Sequence, residues 1–345
     1  MMSSPIKVLV VDDSAFARKV VREMLSTHSS IEMVGSARDG EEALELTATL
    51  HPDVVICDLH MPRIDGVGFV RRQMRLKPLP ILILSAASQD AAEVIEALTA
   101  GAIDVVTKPS ALATDDLRSI GTELVNKLKT AAGSVPLAAL NSDKSEEPSS
   151  IPGHAAKFDI VVIGISTGGP QALRRMLPML PADFGAPIAI VLHMPVGYTA
   201  LYAEKLNELC SLEVKEAREG DMLRPGRVLV AQAGRHLRFT RNADGTVVAN
   251  LSMQPMEKIH RPSVDVLFRS AADVFGDRVL AVVMTGMGDD GVEGAAWVKA
   301  QGGSVLTESE QTCVIYGMPR SVNEAGLSDA SIPLDAMAHA LISRL

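Results

Sequence analysis

Cysteine is scarce: the 345 residues contain three, Cys57, Cys210 and Cys313, with no C-x-x-C spacing. That excludes a disulfide framework and a cysteine-based zinc site, and it fits a reducing, cytoplasmic setting. No stretch reaches the roughly 18 consecutive apolar residues that a membrane span needs. The opening Met1-Met2-Ser3-Ser4-Pro5 leads into a short apolar run ending in Asp12-Asp13, too short and too acidic for a signal peptide. Basic charge is also lacking. The formal net charge is −9, and both halves of the chain are acidic, which argues against binding nucleic acid through bulk electrostatics. No internal repeat is visible, so a solenoid is not indicated.

What is present is length and apolar content. With 47% hydrophobic residues, the chain exceeds one typical domain and can bury two cores. Between residues 129 and 157 the periodicity disappears into Ala-Ala-Gly-Ser-Val-Pro and a Ser- and Glu-rich stretch, which reads as a flexible linker. On either side, short apolar runs alternate with amphipathic segments. The expected fold class is therefore α/β, with a parallel sheet in each half.

In the first half, strands are expected at residues 6–11, 32–37, 54–57, 81–84 and 104–106. Helical stripes separate them, with Phe16, Val20 and Met24 on one buried face and Leu117, Ile120, Leu124 and Leu128 on another. Asp12 and Asp13 end the first strand, Asp58 the third, Ser85 the fourth and Lys108 the fifth. In an open parallel sheet these ends share one edge, where ligands bind. Three carboxylates gathered there repel unless a cation joins them, and oxygen-only ligands favour Mg²⁺. A lysine and a hydroxyl add what a phosphoryl group needs, a point charge and a hydrogen-bond donor.

Residues 5–128 thereby resemble the receiver domain of two-component response regulators. The stretches that carry the likeness are Val8-Leu9-Val10-Val11-Asp12-Asp13-Ser14, Val54 through Gly66 with Asp58 at its centre, Leu84-Ser85-Ala86 and Thr107-Lys108-Pro109. The resemblance implies a flavodoxin-like sheet in which Asp58 accepts a phosphoryl group from a histidine kinase. By the same likeness Asp12, Asp13, Asp58 and the carbonyl of Cys57 hold Mg²⁺, Ser85 is the switch hydroxyl and Lys108 the phosphate partner. It does not specify an output.

Residues 158–345 offer no basic recognition helix for DNA. Strands are expected at 160–165, 188–192, 228–230, 279–284 and 305–306. Gly164-Ile165-Ser166-Thr167-Gly168-Gly169 places a hydroxyl on a glycine-rich strand-to-helix turn, where a serine nucleophile is built, although a capping serine would look the same. His193 follows a second strand, and Asp289-Asp290 follow a third within Thr285-Gly286-Met287-Gly288-Asp289-Asp290-Gly291. On one sheet edge these supply a nucleophile, a base and an orienting carboxylate. Either acid could pair with the histidine. The chain order sets the base before the acid, which excludes the ordinary α/β-hydrolase arrangement. The one histidine late enough for that order, His339, falls in a terminal helix over 334–345 whose buried face is Met337, Leu341 and Ile342.

This half resembles the catalytic domain of the CheB family of chemotaxis methylesterases. The likeness is carried by Ile163 to Pro170, His193-Met194-Pro195, Lys215-Glu216-Ala217, His260-Arg261-Pro262-Ser263-Val264-Asp265, Thr285 to Val292 and Tyr316-Gly317-Met318-Pro319-Arg320. It implies a Rossmann-like α/β catalytic domain with a triad of Ser166, His193 and Asp290 and oxyanion donors near Thr167 and Met287. The implied reaction is hydrolysis of glutamate γ-methyl esters, and deamidation of glutamines, on methyl-accepting chemoreceptors. Phosphorylation is expected to activate it. The catalytic half needs no cofactor, no nucleic-acid partner or membrane insertion is expected, and the chain is expected to act as a monomer. Two rivals remain. A nucleotide-binding output would use Gly164 to Gly169 as a phosphate loop, but lacks G-x-G-x-x-G and a P-loop lysine. A non-enzymatic regulator would only bind receptors and compete for phosphoryl groups.

Overall fold

The computed structural model describes residues 4–85, 90–108, 114–134 and 158–345. The chain divides into two compact units, Met1–Ser142 and Asp143–Leu345. Most of the segment read as a linker lies outside the described residues.

In the first unit, β1 (Ile6–Val11), β2 (Ile31–Ala37), β3 (Val54–Asp58), β4 (Ile81–Ser85) and β5 (Asp104–Thr107) form one parallel sheet in the order β2-β1-β3-β4-β5. Strands β3 and β4 are buried along their whole length. Helices cover both faces of such a sheet, so its strands read as continuous apolar runs rather than alternating ones. The helices are α1 (Ala15–Ser26), α2 (Gly40–Leu50), α3 (Gly66–Leu76), α4 (Ala91–Ala100) and α5 (Thr114–Ala132). Two expectations need correction. Phe16 is 66% exposed, and α1 buries Val21 and Leu25 instead of the Phe16 stripe. Both stripes repeat every four residues, and the pattern alone does not say which of two adjacent stripes meets the sheet. Helix α5 also runs on to Ala132, into the expected linker. Leu124 and Leu128 on it are buried, while the side chains of Leu117 and Ile120 lie outside the described residues.

The second unit has a seven-stranded sheet in the order β14-β13-β12-β6-β7-β9-β8, parallel throughout. Its strands are β6 (Ile160–Ile165), β7 (Ile188–Leu192), β8 (Glu213–Glu216), β9 (Arg227–Val230), β12 (Val279–Val283), β13 (Ser304–Glu308) and β14 (Ala330–Ile332). An antiparallel hairpin, β10 (His236–Arg241) and β11 (Val247–Ser252), stands beside the sheet. Strands β8, β14 and the hairpin were not foreseen. They are short or half-polar, and the sequence pattern there resembles loops.

From β6 the chain first builds outward through β7, then returns through α8 (Val264–Phe275) to place β12 on the other side of β6. That reversal falls between β6 and β12, and the carboxyl ends of strands at such a point are where open parallel sheets bind ligands. The remaining helices are α6 (Gly169–Met176), α7 (Thr199–Asn207), α9 (Val292–Ala300), α10 (Met318–Glu324) and α11 (Leu334–Ile342). In α11, Met337 and Leu341 are buried as expected, but Ile342 is 42% exposed because the helix ends there. His339 is on the exposed side of the same helix.

Candidate active site and phosphoacceptor site

In the first unit the predicted acids converge. One ligand oxygen from each of Asp12, Asp13 and Asp58 lies within 4.8 Å of the others. Lys108 Nζ bridges two of them, at 2.8 Å from Asp12 Oδ2 and 2.9 Å from Asp58 Oδ1. Burial pushes the Asp58 carboxyl pKa upward against the pull of Lys108. Burial likewise disfavours the Lys108 ammonium, but its hydrogen bonds to Asp12 and Asp58 outweigh that and hold its pKa high. The Cys57 thiol donates to the Asp58 carbonyl at 3.1 Å and is pushed well up by burial, so its side chain is no ligand. Ser85 is fully buried and donates to Asp90 Oδ2 at 3.0 Å, while His60 Nε2 meets Asp90 Oδ1 at 3.0 Å.

In the second unit, β6 and β7 run in register to Ile165 and Leu192, so Ser166 and His193 leave the sheet side by side. The His193 amide donates to the Ile165 carbonyl at 3.1 Å, and the Ser166 amide donates to the Thr285 carbonyl at 3.0 Å. Ser166 is not a helix cap. Gly168 occupies that position of α6 with a φ of 82°, a left-handed conformation that favours glycine.

His193 Nε2–H donates to Asp290 Oδ2 at 2.9 Å. The carboxylate takes three more hydrogen bonds, all from the start of α8. Ser263 Oγ donates to Oδ1 at 2.8 Å, and the Val264 and Asp265 amides donate at 2.8 and 3.1 Å. An anion at a helix N-terminus is held by otherwise orphaned amides and by the helix dipole. Burial alone would raise the Asp290 pKa, but His193 and these donors hold it well below the usual carboxylate range. Asp289 is exposed and is not brought to His193.

The other ring nitrogen is left over: His193 Nδ1 is buried and, among the described residues, makes no hydrogen bond, to Ser166 or to any other group. An orphaned buried acceptor is uncommon and calls for an explanation. A neutral ring whose Nε2 carries the proton keeps Nδ1 as an acceptor. The ring is reversed relative to the familiar arrangement in which Nδ1 faces the acid, and both arrangements keep one nitrogen for the acid and one for the nucleophile.

The two backbone regions expected to bind an oxyanion are tied together by Thr285, which is fully buried. Its hydroxyl donates to the Thr167 carbonyl at 3.0 Å and accepts from the Ile315 amide at 2.9 Å. Its own amide donates to Glu308 Oε2 at 2.9 Å. Glu308 is fully buried, and burial pushes its pKa up to about 7. The Gly286 carbonyl accepts from the Gly317 and Met318 amides at 3.1 and 2.8 Å. Because a trans peptide sets C=O and N–H on opposite sides, the Met287 N–H points away from α10. Thr285, Glu308 and Ser263 were given no role from sequence. Their signal there was faint: a hydroxyl or carboxylate ending an apolar strand, and a serine opening a helix.

Gly286 packs against the serine. A Cβ on Gly286 would lie 2.7 Å from Ser166 Cβ and 2.5 Å from Met318 Sδ. Gly286→Ala is therefore expected to displace Ser166 and lower hydrolytic turnover by about 10²-fold, the cost of a misplacement of roughly 1 Å. Circular dichroism should show the fold unchanged, and unaltered turnover would refute this placement.

A parallel-sheet unit whose edge gathers three acids bridged by a lysine, followed in the chain by an α/β unit with a hydrolase-type histidine–carboxylate pair, is the arrangement of a response regulator with an enzymatic output. Two family models match the chain: the response regulator receiver domain over residues 8–120 and the CheB methylesterase over residues 161–341. The chain belongs to the CheB methylesterase family. It is 52% identical to "Protein-glutamate methylesterase/protein-glutamine glutaminase 5" of Myxococcus xanthus (strain DK1622), with 97% of this chain and 96% of that one covered. It is 42% identical to "Protein-glutamate methylesterase/protein-glutamine glutaminase" of Halalkalibacterium halodurans, covering 99% of each. Among solved structures, the Thermotoga maritima CheB methylesterase catalytic domain matches with a TM-score of 0.53 and 41% identity. That match spans 55% of this chain and all of that domain. Among the described residues, no helix is long and apolar enough to cross a membrane.

Proposed function

We propose that this chain is a phosphorylation-activated hydrolase that demethylates glutamate γ-methyl esters, and deamidates glutamines, on methyl-accepting chemoreceptors. Its role is then sensory adaptation in bacterial chemotaxis. The observation that carries the reading is the His193–Asp290 pair with its unoccupied Nδ1, on a strand end in register with that of Ser166.

Ser166 attacks the ester carbonyl while His193 Nδ1 takes its proton. Asp290 holds the proton of Nε2 in place and stabilises the imidazolium that forms. The Ser166 oxygen to carbon bond forms as the carbonyl becomes an oxyanion, which the Thr167 and Met287 amides receive. His193 then returns the proton to the leaving methoxide, releasing methanol and leaving a glutamyl ester on Ser166. Water, deprotonated by the same nitrogen, resolves that ester to the glutamate and free serine. Ammonia leaves in place of methanol when the substrate is a glutamine.

In the receiver unit Asp58 is the phosphoryl acceptor, with a chemotaxis histidine kinase as donor. The three converging acids fit Mg²⁺: they offer only hard oxygen ligands, and Lys108 offsets part of their charge without filling the cluster. Asp12, Asp13, Asp58 and the Cys57 carbonyl would hold the ion, which supplies charge neutralisation for the incoming phosphoryl oxygens. Lys108 would pair with one of those oxygens. Ser85 would leave Asp90 to donate to another.

The test is methanol release from methylated receptor membranes by the full chain, with and without a small-molecule phosphodonor and Mg²⁺. We expect release that rises about tenfold or more with the donor, a shift of the order that a ligand-biased two-state equilibrium supplies. The rise should be absent in Asp58→Asn. An unchanged rate while Asp58 is shown to be phosphorylated would refute the coupling. No release by any form would favour a non-enzymatic regulator.

A further inference from the structure

One hydrogen bond leaves a histidine ring under-determined. It fixes the corner at Nε2, whereas the direction of Nδ1 depends on the plane of the ring. In His193 a second imidazole lies against that plane. The His260 ring lies against it with centroids 4.2 Å apart and planes inclined by 17°. The two residues are 67 positions apart in the chain, so only the fold brings them together.

The loop that presents His260 is itself clamped. His236 is fully buried, and its two ring nitrogens reach both ends of the loop. Nε2–H donates to the Pro255 carbonyl at 3.1 Å, and Nδ1 accepts from the Ser263 amide at 3.2 Å. The Arg261 carbonyl accepts from the Gly234 amide at 2.9 Å, and Arg261 Nη2 donates to the Met256 carbonyl at 3.1 Å. The same loop ends at Ser263, whose hydroxyl holds Asp290 Oδ1. One short segment therefore touches the base through a ring face and the acid through a hydroxyl. His260 is itself exposed, but the loop that carries it is tied down at both ends, which restricts where its ring can lie.

We propose that His260 is a positioning residue of the esterase site: its imidazole stacks on His193 and fixes the ring plane that directs Nδ1 toward Ser166. The interaction is with the ring face, so flatness and size matter more than the imidazole's proton chemistry. A benzene ring should therefore substitute for it, and a methyl group should not. The proposal rests on the triad reading above, so the experiment must separate the two.

The experiment compares wild type, His260→Phe and His260→Ala in the full chain, with two readouts. The first is methanol release from methylated receptor. His260→Ala is expected to lose about tenfold in kcat at unchanged KM, a modest share of what misorientation of a catalytic group costs. His260→Phe should retain activity within about twofold, as expected of a substitution that preserves the ring contact. The second readout needs no substrate: the low-field proton resonance of the His193–Asp290 hydrogen bond. It should persist in wild type and His260→Phe and broaden away in His260→Ala as the ring gains freedom. If wild type releases no methanol, the functional reading fails and the resonance alone decides the positioning role. A resonance that survives in His260→Ala overturns the proposal. So does a His260→Phe enzyme as slow as His260→Ala, which would mean that the imidazole acts chemically. A loss confined to KM also overturns it, because His260 would then be a substrate contact.

Discussion

Ser166→Ala is expected to reduce methanol release by at least about 10³-fold, because the acyl-enzyme route disappears and only binding and oxyanion stabilisation remain. The fold should not change. The serine's structural contacts run through its backbone: its amide donates to Thr285 and its carbonyl accepts from Gly169 at 2.7 Å. Both survive the substitution, and phosphorylation of Asp58 in the other unit should proceed as before. Methanol measured from wild type and variant at equal concentration, with phosphoprotein quantified in parallel, decides it. Retention of most of the activity would remove Ser166 as nucleophile.

Asp290→Asn should cost about 10⁴-fold, and the geometry says why. Every hydrogen bond to the Asp290 carboxylate comes from a donor: His193, Ser263 and the Val264 and Asp265 amides. An asparagine has one acceptor end. If its NH₂ faces His193, the imidazole proton must move to Nδ1, which can then no longer take a proton from Ser166. If the amide is turned round, its NH₂ opposes the Asp265 N–H. The first orientation loses the free Nδ1, and the second sets two donors against each other at the start of α8. Asp289→Asn, on an exposed side chain, should change the rate by less than about threefold, as is usual for surface substitutions. The opposite ranking would give the orienting role to Asp289.

Within the chain, some of this was legible as pattern. The strands that end in Asp58, Ser85, Ser166 and His193 are buried along their length, as is β1 from Val8 to Val11 before Asp12, so they stand out as apolar runs followed by a polar residue. That pattern is local and survives without knowledge of the fold. The α1 stripe shows its limit. Phe16 and Ala17 both open a four-residue repeat, and only contact with the sheet selects the one carrying Val21 and Leu25. The hairpin β10–β11 and the edge strands β8 and β14 escaped notice because edge and two-stranded segments are held by pairing partners more than by their own apolar content.

Residue pattern alone carries the α/β class and the division into two units, and it brings Asp12, Asp13, Asp58 and Lys108 to one sheet edge and Ser166 and His193 to another. Chain order along a parallel sheet places strand ends on one side, and no further information is needed for that. Only the tertiary structure chose Asp290 over Asp289. The two carboxylates are adjacent in the chain and chemically alike, and they differ only in which one meets the start of α8. The same holds for Ser263, Thr285, Glu308 and His260. Their contacts join residues 23 to 118 positions apart, and separations of that kind are set by how helices and loops pack over the sheet, which a periodic pattern does not encode.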